Sequence, residues 1–194
     1  MASATRTAVT DSVLALLERQ EPLTYEAVAR RAGVSRQTVY AHFATRADLL
    51  VGAVERAREL AGVEAGAQAV YEAGTAIGAL EAFTDLHGSF VPRFLRAHVA
   101  IERERSSNPE LEAMLESRAR GRSQLAHHVA TRLHAEGYLE ACWTVDSAGE
   151  LVAALTSGTF TAHLLDEVRW TPAEVRSRVL LVLRQALVRP REEP

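Results

Sequence analysis

Lysine is absent from this sequence: all 22 basic residues are arginine. That uniformity is compositional bias and specifies no partner by itself. Cysteine is nearly absent too. Cys142 stands alone, so an intrachain disulfide is excluded and a cysteine-based zinc site lacks ligands. No run approaches ~18 consecutive apolar residues, the length a membrane-spanning helix needs. The amino terminus, MASATRTAVTDS, lacks the basic-then-apolar pattern of a secretory signal, and a cytoplasmic location is expected. The alternation of period two that marks half-buried strands is missing as well. Aromatic residues make up only 6%, so the places where they gather carry information.

What remains is the material of packed helices. The 194 residues, 47% hydrophobic and 24% charged, have the balance of a globular protein. The formal charge of −3 points to no nucleic acid, but its distribution is uneven. Between Thr24 and Arg46 lie Arg30, Arg31, Arg36 and Arg46 against one acid, Glu26. An all-α chain of about nine helices is expected. The first runs from about Thr5 to Arg19, with Val9, Val13, Leu16 and Leu17 on one stripe. Thr24 caps a second helix that ends near Ala32, and Gly33 turns the chain. Ser35 caps a third, ending near Phe43. Thr45 and Asp48 form a capping box for a fourth, running to about Leu60.

Residues 61–78 are rich in small side chains and read as a frayed end and a connection. A helix follows from Ile77, with Pro92 kinking or ending it and another after it. Asn108 and Pro109 restart the chain for a helix that lasts to Gly137. Ser147 and Glu150 are spaced as a capping box for a helix to about Val168. Thr171, Pro172 and Glu174 begin the last, which ends near Val188.

One stretch, VSRQTVYAHF, differs from this scaffold in carrying hydrogen-bonding side chains of many kinds. Ala29, Gly33 four residues on and Val39 six further have the spacing of a helix-turn-helix. Ala29 permits close approach, Gly33 makes the turn, and Val39 plugs the second helix into the core. Phe43, one turn beyond Val39, continues the buried face. Gln37, Thr38, Tyr40 and Ala41 then point away from it, toward a partner. The pattern Gly-Val-Ser, then Thr-x-Tyr-x-His-Phe, then a basic residue and a Leu pair runs from Gly33 to Leu50. It resembles the DNA-binding region of the TetR family of one-component transcriptional regulators, a likeness that extends over roughly Thr5 to Leu60. Arg36 and Gln37 depart from the family, many of whose members carry a small residue there, and Ala41 is smaller than usual.

The resemblance implies a helix-turn-helix DNA-binding domain over residues 1–60 and an effector-binding and dimerisation domain over residues 61–194. By the same resemblance Thr38, Tyr40 and His42 hold phosphates, joined by Arg46 and by Thr24 or Tyr25. Ser35 and Ala41 complete the candidate surface. Arg36 and Gln37 lie at the front of the recognition helix, the end that reaches base edges. Arg suits guanine and Gln suits adenine, each worth ~1–3 kcal/mol of discrimination.

A single helix-turn-helix buries too little surface for tight specific binding, so a homodimer on a pseudo-palindromic operator is expected. Leu151, Ala154, Gly158, Thr161 and Leu165, with Val179 and Leu183 on the last helix, are the candidate interface. Phe83, His87, Phe90, Phe94 and His98, with Trp143 and Phe160, are candidates to enclose a small, largely apolar effector. The segment SRARGR reads as a solvated basic face. No cofactor, metal or membrane partner is expected, and no catalytic constellation is visible. The expected function is a ligand-responsive regulator, most simply a repressor. An activator or ligand-independent regulator of the same fold, or a carrier or enzyme, are the alternatives.

Overall fold

Hydroxyl caps set most of the helix boundaries. The structure is a computed structural model describing residues 2–190, with the side chains of residues 2, 3 and 89–93 outside that description. The helices are α1 Ala2–Glu18, α2 Tyr25–Ala32, α3 Arg36–His42, α4 Arg46–Leu60, α5 Val63–Glu72 and α6 Ala76–Glu104. A 3-10 turn at Arg105–Ser107 precedes α7 Pro109–Ala135, α8 Val145–Leu155, α9 Gly158–Asp166 and α10 Pro172–Leu187. Among the described residues ten α-helices thus stand where about nine were expected. Among the described residues the nearest thing to a sheet is an isolated bridge between Leu139 and Val188.

Three differences from expectation stand out, two of them with physical reasons. Residues 61–78 are not a plain connection, because Val63 and Val70, two turns apart, give α5 a buried stripe. Its alanines also favour helix intrinsically. Pro92 does not end a helix: α6 runs through it from Ala76 to Glu104. The expected helix from Ser147 to Val168 is broken, and it begins earlier, with Thr144 capping and Ser147 at the third position. The break falls where Ser157 accepts from the Phe160 amide at 3.2 Å and so starts α9. The Thr156 hydroxyl donates to the Val152 carbonyl at 2.7 Å, satisfying an orphan group at the end of α8.

The chain forms two compact units. One comprises the chain up to Ala61 together with Arg93–Glu116, the other Gly62–Pro92 together with the chain from Ser117 on. In the first unit α1 packs on α2 and α4. Its core includes Val9, Val13 and Leu16 of α1, Val28 and Ala29 of α2, Val39 of α3, and Leu49, Leu50, Ala53 and Val54 of α4. In the second, Leu80 and Phe83 of α6 are buried, as are Val129 and Leu133 of α7, Val152 of α8, and Leu183 and Leu187 of α10. The Glu136 carboxylate there accepts from the Ala76 amide at 2.8 Å and pairs with Arg132 at 2.7 Å, closing the start of α6.

Gly52, which the sequence reading passed over, controls how closely α4 approaches the end of α3. A Cβ there would meet Phe43 Cε1 at 2.6 Å and Thr10 Cγ2 at 3.1 Å. The Phe43 ring is 1% exposed, so it has little room to yield. Gly52→Ala gains ~1 kcal/mol of helix propensity, against an overpacking cost of ~1–3 kcal/mol. We expect net destabilisation, read as a lower urea midpoint at unchanged slope.

Candidate nucleic-acid interface and effector region

The interface is assembled by backbone constraints. Thr24 accepts from the Ala27 amide at 3.1 Å and starts α2. Gly33 then adopts φ +69° and ψ 28°, returning its N–H to the Ala29 carbonyl. A side chain is strained in that left-handed conformation, which is why glycine occupies the turn. Ser35 accepts from the Thr38 amide at 3.0 Å and starts α3. Because a capping hydroxyl acts as an acceptor, the Thr24 O–H retains its own proton to donate. The Ser35 and Thr38 hydroxyls lie 2.8 Å apart and share a proton between them.

Along α3, Val39 is fully buried and Phe43, its cap, nearly so. Arg36, Gln37, Tyr40 and Ala41 are exposed, while Thr38 and His42 are half-buried. The amphipathic split leaves four outward side chains of different chemistry over a fixed apolar base. The Arg36 guanidinium stands 5.9 Å from the centre of the Tyr40 ring. Tyr40 in turn stacks on Tyr25, with centroids 3.9 Å apart and planes 11° from parallel.

Two expected phosphate groups are otherwise occupied here. The Tyr25 hydroxyl donates to the Phe43 carbonyl at 3.1 Å, bracing the end of α3. Burial, then the neighbouring Tyr40 and Asp48, raise its pKa, so it remains a neutral donor. Arg46, first residue of α4, donates from Nε to Glu104 at 2.8 Å and from Nη1 to the Leu23 carbonyl. A residue not foreseen from the sequence also acts on this surface. Arg6 of α1 lies 4.3 Å over the Phe43 ring and donates to the His42 carbonyl at 3.2 Å. Nothing in its local sequence signals that role, since the contact spans α1 and α3.

The candidate effector residues divide. Phe83 and His87, one turn apart on α6, come together with ring centres 4.3 Å apart. Phe94 and His98 belong to the first unit, where both are buried. The Phe90 side chain lies outside the described residues. Phe160 is half-buried in the second unit. Trp143 has a structural duty instead: its indole N–H donates to the Ala186 carbonyl at 2.8 Å, tying the loop before α8 to the end of α10. Arg122, in the segment read as a solvated basic face, is half-buried and donates to the Ala153 carbonyl at 3.2 Å. Burial lowers its pKa. The signal for it was periodicity: Leu125, Ala126 and Val129, at three, four and seven residues on, are all buried.

The candidate interface needs a similar correction. Thr161, Val179 and Leu183 are buried within the protomer, so they do not present a free face. Leu151, Gly158 and Leu165 are half-buried and Ala154 is exposed. On α10 the exposed apolar side chains are Leu181 and Val182, 53% and 49% accessible.

Residues 21–53 match the sequence profile of the bacterial regulatory proteins of the tetR family. Over its whole length the fold is similar to that of a Saccharomonospora viridis protein in complex with choline. That likeness has 16% identity and a TM-score of 0.82, covering 97% of this chain and 100% of the other. It is also similar to FadR from Bacillus subtilis in complex with stearoyl-CoA, at 19% identity and TM-score 0.70, covering 92% and 97%. NalD, the secondary repressor of the MexAB-OprM multidrug efflux pump in Pseudomonas aeruginosa, aligns at 22% identity and TM-score 0.68 over 97% and 98%. No curated protein matches the chain in sequence. The profile match falls on the helix-turn-helix segment, which is similar to that of the tetR family, and the structural likenesses extend the shared fold over the rest of the chain.

His87 makes the stability of the second unit sensitive to acid. A carbonyl only accepts, so the 2.8 Å contact of Nδ1 with the Phe83 carbonyl places the proton on Nδ1. Burial lowers the His87 pKa to about 4, with the Arg122 cation adding to the effect against the Phe83 bond. The folded chain therefore holds this imidazole neutral while the unfolded chain protonates it below about pH 6.5. Its stabilising contribution is complete above that pH and is lost as pH falls toward 4, by at most about 3 kcal/mol. Chemical denaturation at pH 7 and pH 4.5 should show a smaller loss for His87→Gln than for wild type.

Proposed function

We propose that this chain is a dimeric repressor whose two recognition helices α3 read a pseudo-palindromic operator and which a small, largely apolar effector releases. The observation that carries the reading is the division of α3. Val39 and Phe43 are fixed in the core while Arg36, Gln37, Tyr40 and Ala41 stand exposed, in a segment with the family's DNA-binding profile. Phosphate contacts position a protein on the duplex and base contacts specify the sequence. Thr24, Ser35, Thr38, Tyr40, His42 and Arg46 are assigned to the first task, Arg36 and Gln37 to the second. Tyr25 supports them through its stack on Tyr40.

Selection of sites from random duplex DNA tests this division. Arg36→Ala and Gln37→Ala should relax preference at particular base pairs, by ~1–3 kcal/mol each. Tyr40→Phe should weaken binding about equally across sequences. A selected motif unchanged in both Arg36→Ala and Gln37→Ala would remove the base-reading assignment.

The dimer follows from the geometry of DNA, since two half-sites about one turn apart require recognition helices roughly 34–36 Å apart. Leu181 and Val182 stand outward on α10, an apolar pair that a second copy would cover; Ala154 is exposed and Leu151 and Leu165 are half-buried. Leu181→Asp should leave the protomer folded and shift the wild-type dimer to monomer at micromolar concentration, read by light scattering. A wild type that is itself monomeric refutes the dimer.

Ligand complexes of similar folds, with choline and with stearoyl-CoA, support a response to a small molecule, a role we assign to the second unit. Phe83 and His87, whose rings meet, are assigned to hold the effector, with the unprotonated Nε2 as the polar atom. Turning a nearly wholly competent population into a nearly wholly incompetent one takes about 5.5 kcal/mol of differential affinity. Operator DNA must weaken the effector by the same factor.

A further inference from the structure

We propose that Glu104 is an internal competitor for DNA phosphate, holding Arg46 away from the duplex until the pair between them opens. The inference rests on the reading of α3 and α4 as the DNA-binding surface. Arg46 is the first residue of α4, inside the Thr45–Asp48 capping box and four residues past the end of α3. Its cation therefore sits at a helix amino terminus, where an incoming phosphate meets both the side chain and the positive end of the helix dipole. Yet the guanidinium is engaged on two sides. Nε donates to Glu104 Oε1 at 2.8 Å and Nη1 to the Leu23 carbonyl. A carboxylate is the protein group closest to a phosphate in what it offers Arg, a pair of anionic oxygens for a planar fork.

The pair is placed to exchange. Its side chains are 46% and 32% accessible, and it borders an open cleft of about 340 Å³ shared with Arg96 and Arg103. Ion pairs this exposed contribute little to stability, so opening one needs no rearrangement of the core. A phosphate brings the added drive of counterion release. Glu104 is also the last residue of α6, where a negative charge is disfavoured by the helix dipole. Arg46 offsets that penalty while the pair is closed. A change at the end of α6 moves the carboxylate and frees the cation. Phe83 and His87 lie on this same helix, so Glu104 belongs to the element that the proposed effector touches.

The test is a double-mutant cycle on the full-length protein. Wild type, Glu104→Gln, Arg46→Ala and the double variant are titrated with labelled random-sequence duplex DNA over a range of NaCl concentrations. Glu104→Gln should bind about fivefold tighter than wild type, with a salt dependence steeper by about one phosphate contact. In the Arg46→Ala background the same change should have less than about a twofold effect, because no cation is left to release. Glu104→Ala repeats the measurement should the glutamine itself hold Arg46 by a hydrogen bond. Equal gains in both backgrounds would reduce Glu104 to one more repelling charge and overturn the proposal. An unchanged or weakened Glu104→Gln together with an unchanged or weakened Glu104→Ala would also overturn it. If wild type binds duplex DNA and Glu104 proves silent, this inference alone falls. A wild type that does not bind DNA takes the functional reading down with it.

Discussion

The posture of the recognition helix depends on one side chain, Phe43. Its ring closes α3 from below, buried to 1%, and three other parts of the unit are fitted to this residue. Gly52 removes its own side chain to let α4 come within contact of the ring. Arg6 covers the other side from α1, 4.3 Å from the ring centre. Tyr25 donates to the Phe43 carbonyl and stacks on Tyr40. The outward face of α3 is therefore held from beneath and from both flanking helices. A seven-residue helix is far too short to be stable alone, so its order comes wholly from these tertiary contacts. The base reading proposed for α3 needs that order, because bidentate pairs tolerate little displacement of the side chains that make them.

The parts of this arrangement that were legible in the sequence are local ones. Thr24, Ser35, Thr45 and Thr171 announce helix starts because a cap is defined by the hydroxyl and the amides within three residues of it. Gly33 announces the turn by its conformation, and Val39 with Phe43 announces a buried stripe by spacing. Contacts across helices left no such trace. Arg6 over Phe43, Arg46 on Glu104 and Trp143 on Ala186 each join residues 36 or more apart. Charged side chains misled for a related reason. Arg122 looks solvated in sequence and Arg46 looks committed to phosphate, and only the fold decides where each guanidinium goes.

Hydrophobicity gave a second kind of misreading. Val179 and Leu183 were candidates for an interface between subunits because α10 is apolar around more than half its circumference. They lie instead within the protomer, and the outward pair is Leu181 and Val182. Periodicity identifies two apolar faces on such a helix but not which of them meets the chain's own core. In α8 and α9, likewise, the Thr-Ser pair at 156 and 157 was continuous with an apolar pattern on both sides. A cap signal embedded between two matching stripes is hidden by them.

The make-up of the first unit bears on how the chain is synthesised. Its residues come from two stretches, the chain up to Ala61 and Arg93–Glu116, with Gly62–Pro92 belonging elsewhere. The amino-terminal helices leave the ribosome first, but the segment that completes their unit emerges only after residue 116 is added and clears the exit tunnel. At roughly 5–20 residues per second, several seconds separate these events. During that interval the nascent head lacks Glu104, and Arg46 has no carboxylate on α6 to meet. A fragment ending at Ala61 is the lasting form of that early state, with the motif present but its unit incomplete.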